Sequence, residues 1–242
     1  MRSALIRVSF EGGYVPRGFA FVNTPTLVVS GDGRAITPGA SPAIYPGPLL
    51  PAMRERPISE AGIGSLLQHA DDAGLLAAPP DYHSDAEQTI ADAPNTVVRI
   101  TVDGATFVHS AYALGNTDDS DGDETTPARR TLLAFVRSLE DLEAAAGAGT
   151  LGADRELVAE EYRLQSAPVA EAELAGLDPA PTVVDWPATS GLDLATATTC
   201  ARLGVAEAGA VFVTATQNTY FRQAGILFRV FAAAVLPGDP TC

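Results

Sequence analysis

The side chains with the clearest chemistry in this sequence are Cys200 and Cys242, its only cysteines. Both lie in the last fifth of the chain, and Cys242 is its last residue. A lone thiol there is exposed and oxidisable. Joined, the pair staples the C-terminus to the body of the fold by closing a loop of about 43 residues, worth roughly 4 kcal/mol in the chain-entropy treatment. Such a staple belongs to an oxidising compartment outside the cytosol. The other chemistry open to thiols is redox or nucleophilic. It has little support, because there is no Cys-x-x-Cys and Arg202 is the nearest basic residue.

The three histidines, His69, His83 and His109, show no His-x-x-x-His or His-Glu-x-x-His spacing, so no zinc site is read from them. A two-residue turn at Asp103-Gly104 would pair Val102 with Ala105, Ile100 with Phe107 and Val98 with His109. That register puts His109 on the apolar face of its hairpin, as a half-buried, hydrogen-bonded histidine and not a catalyst. His69 sits beside Asp71 and Asp72, on the solvated side of a helix. The acidic run Asp118 to Glu124 offers calcium-type oxygens at Asp119, Asp121 and Asp123. It departs from the EF-hand pattern because the sixth position is Glu124 and not glycine, so a solvated loop is the simpler reading.

No Gly-x-Ser-x-Gly, phosphate-binding loop or dinucleotide fingerprint occurs, and no Ser-x-x-Lys can, because the chain has no lysine. No cofactor is expected. Paired carboxylates for glycoside hydrolysis need no local motif, and 30 acidic residues make their mere presence uninformative. The most distinctive loop is Tyr45-Pro46-Gly47-Pro48-Leu49-Leu50-Pro51. It reads either as a semi-rigid recognition loop with Tyr45, Pro46, Pro48 and Leu50 as its contact residues, or as a crossover that packs Tyr45 and Leu50 on a sheet. The second reading is the simpler. Trp186, the only tryptophan, reads as a core or seam residue.

The elements that must position these residues are those of an α+β protein. Ala4–Phe10 alternates as a strand, with Ile6, Val8 and Phe10 on one face. Leu27–Ser30 and Ala35–Ile36 flank a tight turn at Asp32-Gly33. Residues 38–57, dense in proline and glycine, predict an extended loop. Ser59 caps a helix over 60–76 with a stripe of Ile63, Leu66, Leu67, Ala70 and Gly74, and residues 77–95 predict a second loop. Residues 96–102 and 105–114 form the second hairpin. Thr126-Pro127 starts another helix, with Leu132, Val136, Leu139 and Glu143 on one stripe. Residues 144–152 are small and predict a linker. Beyond it, 157–167 reads as a strand, 178–181 as a turn and 192–203 as a short helix carrying Cys200. Residues 211–216, 219–222 and 226–235 read as closing strands. The expectation is mainly antiparallel sheets with two or three helices packed on one face, in two subdomains, 1–148 and 153–242.

A chain of 242 residues can bury a full core. Its net charge of −15, with 15 arginines and no basic cluster beyond Arg129–Arg130, argues against nucleic acid and against anionic membrane surfaces. No apolar run reaches the ~20 residues of a membrane span. Met1-Arg2-Ser3 runs straight into a strand pattern, so an exported form is expected to have its leader removed or lying outside this sequence.

Several of these residues together resemble a family. The order is Gly31-Asp32-Gly33-Arg34, Tyr45-Pro46-Gly47-Pro48, Leu50-Pro51, a helix, and Asp92-Ala93-Pro94 before a strand. Cys200 and the ending Val235-Leu236-Pro237-Gly238-Asp239-Pro240-Thr241-Cys242 follow. This is similar to a family of exported, lipoprotein-like actinobacterial proteins of unknown function. The resemblance implies export and supplies no catalytic residues. The expected function is a non-catalytic binding or structural domain of the cell envelope, acting on an envelope ligand or protein. The alternatives are an exported hydrolase working through carboxylates, or an inhibitor-like module using the Tyr45–Pro51 loop.

Overall fold

The computed structural model describes residues 3–16, 18–83, 90–115 and 126–242. The calcium candidates Asp119, Asp121 and Asp123 lie outside the described residues. The protein is α+β, with two largely antiparallel sheets and a modest share of helix. It divides into two compact units that are not consecutive stretches of chain. Unit one holds Met1–Val15, Pro25–Pro38 and Met53–Leu157; unit two holds Pro16–Thr24, Gly39–Ala52 and Val158–Cys242. Residues 148–153, where a boundary is expected from sequence, fall inside unit one.

Unit one is a seven-stranded antiparallel sheet. Its strands are β1 (Ala4–Glu11), β2 (Leu27–Ser30), β3 (Arg34–Pro38), β4 (Met53–Pro57), β5 (Asn95–Val102), β6 (Ala105–Tyr112) and β7 (Arg155–Glu156), in the spatial order β6-β5-β1-β2-β3-β4-β7. The Asp103-Gly104 turn has φ of 50° and 80°, as a type I′ hairpin requires. It sets the register Val102↔Ala105, Ile100↔Phe107 and Val98↔His109. Through Ile6↔Ile100 and Val8↔Val98, β1 continues the same apolar face. Phe10, expected on that face, is largely exposed near the strand end.

One face of this sheet packs against α2 (Glu60–Asp72), α3 (Pro127–Ser138) and α4 (Leu142–Ala146). Ser59 Oγ accepts from Gly62 N at 3.2 Å, capping α2. The helix stops at residue 72 and not 76, because Gly74 N bonds to Asp71 O and Leu75 N to Ala70 O in a Schellman ending. Thr126 caps α3 and Pro127 is its first residue. The buried stripe of α3 is Arg129, Leu132 and Phe135, continued by Leu139. Glu143, expected on it, instead lies in the first turn of α4 and pairs with Arg56 at 3.0 Å.

Two further expectations fail in this unit. Met53–Pro57, expected as loop, is a strand paired with β3, with Met53 and Glu55 buried at alternate positions and Pro57 at its end. The expected linker 144–152 is packed structure. Asp141 caps α4, Ala145 and Ala146 are buried, and Ser59 N donates to Thr150 O at 2.9 Å. Small residues here allow close approach, and a Cβ on Gly62 would lie 2.9 Å from Thr150.

At the end of β1, Arg99 Nη2 donates to Glu11 Oε2 at 3.0 Å and Ser9 Oγ donates to Oε1 at 2.7 Å. These bonds, that from Arg99 foremost, hold the Glu11 carboxyl below its ordinary value. A carboxyl whose folded value is lowered stabilises the fold above the ordinary value of 4.5 and loses that contribution as pH falls below it. Both side chains are about two-fifths exposed, so screening keeps the effect small. Glu11→Gln should cost a few tenths of a kcal/mol at pH 7, a difference that shrinks below pH 4.5. Urea unfolding at neutral and acid pH measures it; a deficit that grows on acidification would contradict the assignment.

Unit two is a five-stranded sheet of β8 (Glu161–Val169), β9 (Thr182–Asp185), β10 (Ala201–Gly204), β11 (Thr219–Gln223) and β12 (Ile226–Ala234), in the order β10-β8-β12-β11-β9. Only β9 runs parallel to its neighbour. Short helices are α1 (Phe19–Val22), α5 (Glu171–Leu174) and α6 (Val205–Phe212). Strand β8 starts four residues later than expected from sequence. Residues 192–203, expected as helix, form turns as far as Cys200 and then enter strand β10. Asp193 Oδ1 accepts from Ala195 N, and Ser166 donates its N–H to Ala197 O and its hydroxyl to Leu194 O. Residues 211–216, expected as strand, include the end of α6. Ala208, Val211, Phe212 and Ala215 are buried at helical spacing. Trp186 is core, its ring 5.3 Å from that of Phe221 and 6.3 Å from that of Phe212.

Candidate functional site

Cys200 and Cys242 form a disulfide, with Cα atoms 5.0 Å apart. The segment leading to Cys242 is fixed independently. Leu236-Pro237-Gly238-Asp239 is a type II turn, with Pro second, Gly238 at φ 79° and Asp239 N donating to Leu236 O at 3.0 Å. Asp239 is buried; its Oδ2 accepts from Leu236 N at 2.9 Å and lies 3.7 Å from Arg163 Nε. Arg202, paired with Glu161, also reaches Pro240 O at 3.3 Å.

His109 is fully buried, where sequence predicts half-burial. Leu75 O lies 2.9 Å from its Nε2 and the Tyr82 hydroxyl 2.7 Å from its Nδ1. A carbonyl only accepts, so Nε2 carries the hydrogen it shares with Leu75 O, and Nδ1 shares a hydrogen bond with the Tyr82 hydroxyl. The Schellman ending of α2 is what places the Leu75 carbonyl there. Burial pushes the Tyr82 hydroxyl above its ordinary value. Arg129, also fully buried, donates from Nη1 to Tyr82 O and from Nη2 to Tyr112 O, both at 3.0 Å. Both ring nitrogens are therefore engaged, Nε2 holding the end of α2 and Nδ1 the 77–83 segment to β6. His69 and His83 are exposed and do not join it.

A cavity of about 200 Å³ in unit one is lined by Ala73, Gly74, Leu75, Pro80, Tyr82, Pro127, Ala128 and Thr131. Among the described residues its lining includes no carboxylate. The buried carboxylates among the described residues are Glu55 and Asp239, and each faces arginine. Glu55 Oε1 accepts from Arg155 Nε at 3.0 Å and its Oε2 is 3.5 Å from Arg34. Among the described residues no group of three His, Cys, Asp or Glu is placed to hold a metal ion, and no helix is long and apolar enough to cross a membrane.

The loop that sequence singles out has a definite geometry within unit two. Its neck is closed by Gly39 N donating to Ala52 O at 2.8 Å. Its far limb pairs with the segment after α6: Gln217 N donates to Gly47 O at 2.9 Å, Leu49 N donates to Ala215 O at 3.0 Å, and Pro48 and Thr216 form an antiparallel bridge. Leu49 is buried in the core with Trp186, Phe212 and Phe221, and Leu50 packs against that cluster half-buried. Tyr45 does not pack on the sheet. It is 58% exposed, beside Ile44 at 71%, on a turn that contains the cis Tyr45–Pro46 bond. Pro48 is exposed and Pro46 half-buried. One face of the loop is thus anchored through Leu49 and main-chain bonds, while its turn presents an aromatic and an aliphatic side chain to solvent. The proline density marks the loop in sequence. Which leucine anchors it follows from the pairing with 215–217, which has no local signal. In comparisons with known proteins, no family model, no curated protein and no solved structure matches the chain.

Proposed function

We propose that the protein is a non-catalytic, extracytoplasmic binding domain of the bacterial cell envelope that engages its ligand through the Ile44–Pro48 turn. The single observation that carries this reading is Ile44 and Tyr45 held out to solvent on an anchored loop. Large apolar side chains on an unsupported loop would simply fold back. Here hydrogen bonds and Leu49 fix the loop from behind, which lowers the ordering cost of binding. The disulfide supports an oxidising location. Export is also what the resemblance in Gly31–Arg34, Tyr45–Pro51 and the Val235–Cys242 ending implies.

The test is cosedimentation with insoluble bacterial cell-wall material. The wild-type protein should pellet with it, and Tyr45→Ala should stay in the supernatant while keeping its circular dichroism spectrum. Equal pelleting of both proteins, or of neither, would remove the turn from the function.

A further inference from the structure

The turn differs in charge from the protein that carries it. The chain has net charge −15, yet residues 35–53 and 208–221 contain no charged side chain. The fold pairs these two uncharged stretches with each other, through Gly47 with Gln217, Pro48 with Thr216 and Leu49 with Ala215. Among the side chains they expose are the Tyr45 ring, Ile44 and Val213, Pro42 and Pro48, and Gln217. That amide lies where a Cβ on Gly47 would meet it at 3.5 Å, with Ile44 O 3.7 Å from the same point. An exposed aromatic ring on a turn that also carries an amide and a carbonyl near Gly47, in two stretches without a charged side chain, suggests the chemistry of its ligand.

Anionic polymers are repelled by the net charge of this protein, and cationic ones find no carboxylate on the turn. A protein partner needs about 800 Å² from each side, whereas the Ile44–Pro48 turn projects two large side chains, Ile44 and Tyr45, of which the ring offers about 200 Å². A sugar ring suits the turn better. Its axial C–H face is apolar and stacks on the negative face of an aromatic ring, and its hydroxyls need neutral donors and acceptors such as the Gln217 amide and main-chain carbonyls. A weak site of this size becomes useful when the ligand repeats along a chain. Resting on the reading of the Ile44–Pro48 turn as the binding surface, we infer that its ligand is an uncharged polysaccharide, with the Tyr45 ring as stacking platform and Gln217 as hydrogen-bonding partner.

Affinity electrophoresis in native gels tests this. The probes are neutral polymers (a β-glucan, a mannan, an arabinogalactan and a soluble chitin derivative), with polygalacturonate as the anionic counterpart. At least one neutral polymer should retard the wild-type protein equally at low and high salt. Tyr45→Ala should weaken the retardation about tenfold, Gln217→Ala should weaken it several-fold, and Tyr45→Phe should retain it. Retardation by polygalacturonate alone, suppression by salt, or retardation that Tyr45→Ala leaves intact would overturn the proposal. If no neutral polymer acts while Tyr45→Ala still abolishes cell-wall pelleting, the turn remains the binding surface and the polysaccharide class is wrong. If self-association that Tyr45→Ala abolishes is found by sedimentation in place of retardation, the ligand is a second copy of the chain and the proposal falls.

Discussion

Arg129→Met should destabilise the protein by about 3 kcal/mol, measured by urea unfolding followed in the far ultraviolet. Methionine keeps most of the buried stem and removes the guanidinium. The Tyr82 and Tyr112 carbonyls, each now accepting at 3.0 Å, would lose this donor in the interior. A buried acceptor left unsatisfied costs about 1–3 kcal/mol, so two of them dominate the loss. A cation in the first turn of α3 also opposes the helix dipole, which offsets part of the cost of removing it. Arg129→Lys should recover little, because an ammonium on a shorter stem cannot span two carbonyls as a planar fork does. A loss under 1 kcal/mol for Arg129→Met would show that the guanidinium does not tie the 77–83 segment and β6 to α3.

This residue also shows where sequence reading stops. Arg129 is legible only as half of a basic doublet, and a charge on a helix is ordinarily solvated. Its one local signal is position, three residues before Leu132 on the buried stripe. Its acceptors lie 47 and 17 residues away, brought in by a loop and a strand end that no local pattern couples. His109 was more accessible to reasoning. The Asp103-Gly104 turn admits one hairpin register, and the register alone assigns His109 to the apolar face opposite Val98. The depth of its burial depends on Tyr82 and Leu75, and those contacts are not local.

The same distinction separates the elements. Hairpins and capped helices carry their instructions in adjacent residues, as in Gly33, Gly104, Ser59 and Thr126-Pro127. Helix α6 does not: the apolar run 208–213 fits either period, and the buried set Ala208, Val211 and Phe212 becomes recognisable as helical only once the core is known. Strand β4 is hidden by the prolines around it, although pairing with β3 gives its backbone partners. At the candidate site, sequence marks the Tyr45–Pro51 loop but not its inside and outside. Leu49 is anchored because its N–H finds Ala215 O, and that pairing is what leaves Tyr45 facing water.

Replacing Cys242 by serine, or reducing the disulfide, should cost about 4 kcal/mol, the chain-entropy value for a loop of roughly 43 residues. The effect should act through the unfolded chain. In the folded protein the terminal segment has other ties: the type II turn, Asp239 Oδ2 on Leu236 N, and Arg202 on Pro240 O. Trp186 is the natural reporter, because it is the only tryptophan and is buried against Phe221 in the same unit. Its emission without urea should therefore match that of the oxidised protein, while its unfolding midpoint falls by the full amount. A red-shifted emission at zero urea would mean that the disulfide itself holds the native packing; a loss below 1 kcal/mol would mean that the unfolded chain is already constrained there. Intact mass after alkylation supplies the matching chemical test. Neither cysteine should label until reductant is added, and labelling of both without it would remove the disulfide and with it the physical argument for an extracytoplasmic location.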